Sequence, residues 1–94
     1  MIPTMSDDET RALAGATYDA GVRARTVHLL MSRETVISFA RACAVDLPDD
    51  WQPTPGVGTI MGTSIIFVDS MPFGAWELHD IMAGKQLVVH APPA

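Results

Sequence analysis

The chain has 94 residues, a formal charge of −5 and one cysteine, Cys43, so an intramolecular disulfide framework is excluded. The acidic balance argues against nucleic-acid binding by the whole domain, which needs a basic footprint. Hydrophobic residues make up 48% and charged residues only 18%, an apolar surplus for one small domain that favours self-association or a protein partner.

The first element is a helix. Ser6 followed by Asp7, Asp8 and Glu9 forms a capping box, with the acids at the positive helix end. Leu13, Thr17, Ala20, Ala24, Val27 and Met31 then recur at steps of three and four, which predicts one long helix reaching about Met31. The alternative ends this helix near Gly21 and makes 26–31 a strand, because Gly15 and Gly21 each cost about 1 kcal/mol relative to Ala inside a helix. Ser32 caps a second helix predicted from Arg33 to about Asp46, with Val36, Ala40, Cys43 and Leu47 inward and Glu34, Ser38 and Arg41 as a polar stripe. Leu47-Pro48 ends it, and the helical hairpin spans about 7–47.

Residues 48–58, rich in Pro and Gly around Trp51, read as a crossing loop to a β-meander over about 59–90. Thr63 to Asp69 carries apolar side chains on both faces, the pattern of a central strand covered on two sides. Ser70 to Gly74 supplies a turn. Ala75 to His79 alternates, with Trp76 and Leu78 on one face and Ala75, Glu77 and His79 on the other, the pattern of a half-buried antiparallel strand. Gln86 to His90 is a third strand after the Gly84-Lys85 break. The expected fold is therefore α+β: two N-terminal helices packed on a C-terminal antiparallel sheet of about three strands, within one domain of residues 1–94 and a radius of gyration of roughly 12 Å.

The order Gly58-Thr-Ile-Met-Gly62, a hydrophobic strand, Met71-Pro-Phe-Gly74 and a strand closed by Asp80 resembles a segment of the major capsid proteins of tailed bacteriophages. Ser64 stands where that family often has Pro. The resemblance covers residues 58–80 and implies phage origin more than a capsid subunit, and it carries over no functional residue.

Chemistry-bearing groupings are sparse. Glu77 and His79 share a strand face and, with Asp80, are candidate metal ligands; the competing reading is a solvated sheet face. Cys43 with His28, His79 or His90 is a candidate thiolate nucleophile, against a small buried hydrophobe on the second helix. Gly56, Gly58 and Gly62 are spaced like a phosphate loop but lack its Lys-Ser/Thr ending and precede a strand, so they read as turn punctuation. Arg23, Arg25 and Arg33 with His28 form a candidate anion patch, against ordinary solubilising charges. Ala16, Ala20 and Ala24, spaced by four, allow close approach of either the second helix or another copy. Trp51 and Trp76 are candidate partner anchors, with the alternation favouring core for Trp76.

Residues 1–47 hold six acids against five Arg (−1), and residues 48–94 hold five acids against Lys85 (−4). No apolar run approaches the roughly 18 residues of a membrane span, and Met1 to Glu9 lacks the basic start and apolar core of a secretory signal, so a cytoplasmic setting is expected. The reading is a non-enzymatic protein-interaction domain with no catalytic, cofactor or metal residues. Its candidate partner-binding residues are Trp51, Trp76, Ala16, Ala20 and Ala24. The expected instance is a phage-encoded accessory or host-inhibitory protein acting as a homo-oligomer or through a protein partner. The alternatives are a virion-assembly subunit and a small-ligand binder with its site between subunits.

Overall fold

Ser6 opens the first element of the computed structural model, which describes all residues except 25, 54–58, 61 and 93–94. The Ser6 hydroxyl accepts the Glu9 N–H at 3.2 Å, and helix α1 runs Asp7–Arg23. Strand β1 (Val27–Met31) follows, then helix α2 (Arg33–Ala42), β2 (Thr59–Ile60), β3 (Thr63–Phe67), β4 (Trp76–Asp80) and β5 (Lys85–His90). The strands form one mixed sheet in the order β2-β3-β1-β4-β5. The Cα radius of gyration is 12.5 Å.

The α+β class holds, but the long first helix and the helical hairpin do not. Residues 27–31 are the central strand, parallel to β3 and antiparallel to β4. A spacing of four is even, so Val27 and Met31 share a face in a strand as well as in a helix. Leu29, which a helix would turn away from them, is fully buried with both. Ala24 is already extended, with φ −138° and ψ 144°. The three-strand meander is likewise corrected, because β1 lies between β3 and β4, which follow each other in sequence. The reason is the β1-α2-β3 unit, whose crossover helix allows parallel pairing.

Both helices lie on the same face of the sheet. Leu13 and Ala20 of α1 and Val36 and Phe39 of α2 meet Val27, Leu29 and Met31 of β1 and Trp76 and Leu78 of β4 in one core. Ala16 and Ala24 pack against its edge. The strand at Thr63–Phe67 is therefore covered on one face rather than two: Thr63 is buried, while Ser64 and Ile66 are exposed.

Helix α2 stops at Ala42, short of the expected Asp46. Ala44 adopts a left-handed φ of 64°, its N–H donates to Arg41 O at 3.1 Å, and the Val45 N–H donates to Ala40 O at 2.9 Å. These two bonds make a Schellman motif with alanine where glycine is usual. The stop leaves Cys43 exposed at the helix end instead of inward. Ser38, expected on a polar stripe, is buried, and its carbonyl accepts the Met5 N–H at 3.1 Å where the N-terminal segment crosses α2.

Arginines on α2 fix the chain that leaves it. Arg41 donates to Leu47 O at 2.8 Å, to Ile2 O at 2.6 Å and to the Asp49 carboxylate at 2.7 Å. Arg33 donates to the carbonyls of Asp49 and Trp51 at 2.9 and 2.8 Å. Trp51 is thereby set 6.2 Å from the Phe67 ring, between centroids.

Ala44→Gly should raise the free energy of unfolding by about 0.5–1 kcal/mol, since glycine carries no penalty for left-handed backbone. Leu29→Ala should lower it by about 3 kcal/mol through loss of a fully buried side chain in the central strand. Urea denaturation of both variants beside the parent chain tests the two signs.

Candidate interaction surface

The face of the sheet turned away from the helices has a definite pattern. Register places Ser64, His28, His79 and Gln86 in one row across β3, β1, β4 and β5. The next row is Ile66, Leu30, Glu77 and Val89. Ile66 is 39% exposed and Val89 60%, with Leu30 half-buried between their strands. Alternation puts these residues here, because their sequence neighbours Ile65, Phe67, Leu29, Met31 and Val88 belong to the core side.

Glu77 organises the polar part. Its Oε1 lies 2.9 Å from His79 Nε2 and accepts from Gln86 Nε2 at 3.0 Å. The hydrogen bond to His79 holds the Glu77 carboxyl below the usual range, opposed by burial and assisted by Gln86. Asp80 faces the helix side and is held low chiefly by the Thr26 hydroxyl, which donates to it at 2.7 Å. The Ala83 N–H adds a bond at 3.3 Å, and Lys85 lies opposite in register. Asp80 therefore ties the entry of β1 to the β4–β5 turn and does not converge with Glu77 and His79. Among the described residues no group of three metal-ligating side chains converges.

The other sequence-derived candidates are dispersed. Trp76 is 2% exposed, stacked on His90 at 4.6 Å, and belongs to the core. Trp51 is half-buried against Phe67. Ala20 is buried, and Ala16 and Ala24 are half-buried beside it, so the small-residue stripe seats α1 on its own core. Arg23 pairs with Asp19 at 3.3 Å before β1, whereas Arg33 follows β1 at its other end, so these two do not form a patch around His28. Arg25, Gly56 and Gly58 lie outside the described residues; Gly62 turns β2 into β3 at φ 80°. His90 Nε2 meets Glu9 Oε2 at 2.8 Å, away from Cys43 at the far end of α2.

Concavities among the described residues include two beside the sheet. A cleft of about 490 Å³ opens beyond the carboxyl ends of β1 and β3, lined by Ser32, Arg33, Glu34, Phe67 and Asp69. That end of a parallel pair is where open sheets bind ligands. Here, however, Arg33 is engaged with carbonyl oxygens, the Ser32 hydroxyl lies 2.8 Å from that of Thr35, and Glu34 and Asp69 add negative charge. A second cleft of about 200 Å³ runs between Ala16, Asp19, Ala20 and Arg23 of α1 and Leu87 and Val88 of β5. Leu87 is the extra residue of a bulge, since Leu78 pairs with Val88 and His79 with Gln86. Alternation in the sequence points to the open face once the strands are known. The β5 cleft carries no sequence signal, because it depends on the bulge.

No protein-family model, curated protein or solved structure matches this chain.

A carboxyl whose native pKa is depressed stabilises the fold fully above its unfolded pKa, and this contribution is lost as pH falls through the native value. The Asp80 and Glu77 contributions should thus be intact at neutral pH and disappear below about pH 4, the range of unfolded carboxyls. Asp80→Asn should flatten the acid limb of a stability-against-pH curve measured by urea denaturation, leaving little further Asp80-linked loss below pH 4.

Proposed function

We propose that this chain is a non-enzymatic protein-interaction domain whose working surface is the helix-free face of its sheet, and that its partner presents a basic surface around an apolar patch. The observation that carries this reading is the uncovered row of Ile66, Leu30 and Val89 beside the polar row of Ser64, His28, His79 and Gln86. An antiparallel or mixed sheet tolerates one solvated face, which is usually lined with polar residues. Here large apolar side chains interrupt that face, and burying them favours association. Charge complementarity supports a basic partner: the chain carries −5 overall, and Glu77 sits within the face.

The resemblance of residues 58–80 to the phage capsid segment supports a phage-encoded accessory or host-inhibitory role for such a domain. A virion-assembly subunit is the second reading, favoured by β5 being, among the described residues, a sheet edge with no further strand beside it.

Quantitative capture with the tagged parent chain, Ile66→Glu and Val22→Glu from a bacterial lysate tests the proposed surface. Val22 is 71% exposed on α1 and serves as the control for added charge. A basic protein retained by the parent and Val22→Glu but lost at least tenfold by Ile66→Glu is the expected result. A captured set insensitive to Ile66→Glu would overturn the assignment of the face.

A further inference from the structure

We infer that two copies of this chain join edge to edge through β5, antiparallel about a two-fold axis between Leu87 and Val88, so that two five-stranded sheets become one. Among the described residues no strand lies beyond β5, and alternate main-chain groups of an edge strand point outward as a template for pairing. The strand, Lys85–His90, contains no proline and only one acidic or basic side chain other than His90, that of Lys85. The opposite edge, β2, is only two residues long and offers little to pair with.

The bulge selects a second copy as the occupant. Lys85 pairs with Asp80, and His90 with Trp76, on the helix side, where Leu87 and Val88 together line the cleft against α1. Gln86 and Val89 lie opposite His79 and Glu77 on the open side. The order of faces from Lys85 to His90 is therefore helix, open, helix, helix, open, helix, and it reads the same in both directions. An antiparallel copy about the Leu87/Val88 midpoint consequently sets like face against like face at every position: Lys85 against His90, Gln86 against Val89, and Leu87 against Val88. A regularly alternating six-residue strand would oppose unlike faces in that register.

Chemistry at the ends fits as well. His90 is bonded to Glu9, and both side chains are about one-quarter exposed. Lys85 of one copy would arrive beside this pair in the other, placing its ammonium near the Glu9 carboxylate, twice by symmetry. At the centre the two clefts beside Leu87 and Val88 would merge into one apolar floor between the α1 helices, shielded from water by the pairing.

The test is absolute mass by light scattering behind a sizing column over a hundredfold concentration range, for the parent, Lys85→Glu, Lys85→Arg and Ile66→Lys. The expected result is a dimer of the 10.1 kDa chain. Lys85→Glu should weaken it at least tenfold, Lys85→Arg should retain it, and Ile66→Lys, on the open face but away from β5, should leave it unchanged. Circular dichroism should show all four folded, since Lys85 and Ile66 are exposed. A monomer throughout would overturn the inference. So would a dimer that Ile66→Lys disrupts and Lys85→Glu does not, since that would be sheet-face stacking.

Discussion

The placement of Val27–Met31 at the centre of the sheet is the constraint on which the rest depends. This strand pairs in parallel with β3 on one side and antiparallel with β4 on the other, so every other strand takes its position directly or indirectly from it. Its inward residues Val27, Leu29 and Met31 form the floor on which both helices rest. Parallel pairing with β3 requires a crossover connection, which α2 and the chain after it supply. Arg41 and Arg33 hold that connection at Leu47, Asp49 and Trp51, and Arg41 also ties down the N-terminal segment at Ile2, so both guanidinium groups serve the fold.

Placing both helices on one side leaves the other side of the sheet exposed. The chain manages this face partly with a polar network, in which Glu77 joins His79 and Gln86, and partly leaves it apolar at Ile66 and Val89. Among the described residues the edge at β5 is a second open boundary. These are distinct surfaces at right angles, one made of side chains and one of main-chain groups, so a domain paired through its edge would retain its open face for a partner. Such an assembly would present two copies of that face on one continuous sheet, which raises apparent affinity for a repetitive target through effective concentration.

The local parts of the structure were legible in the sequence. The Ser6 and Ser32 caps depend on residues three apart and form as read, although the Glu9 carboxylate, expected to reach back to Ser6 in a capping box, bonds His90 instead. The alternation of Trp76 to His79 gave the correct core face, because a strand's two sides are set by parity alone. The end of α2 was not legible, because it is fixed by a left-handed alanine, whose side chain carries none of the usual signals of a helix stop. Nor was the turn of Asp80 to Thr26, away from Glu77 and His79, whereas the burial of Trp76 agrees with the alternation that favoured the core for it.

By itself the sequence determined the α+β class, the two helix starts, the strand at Trp76 and the acidic, apolar-rich character of the surface. Only the tertiary structure decided that 27–31 is a strand, since spacings of four satisfy both helix and strand and the choice falls to whichever neighbours bury Leu29. It also decided that the sheet is mixed, that both helices cover one face, and that a bulge makes the faces of β5 palindromic. The mixed sheet arises from pairing between segments distant in the chain, and the bulge from the pairing of β4 with β5; local side-chain preference encodes neither.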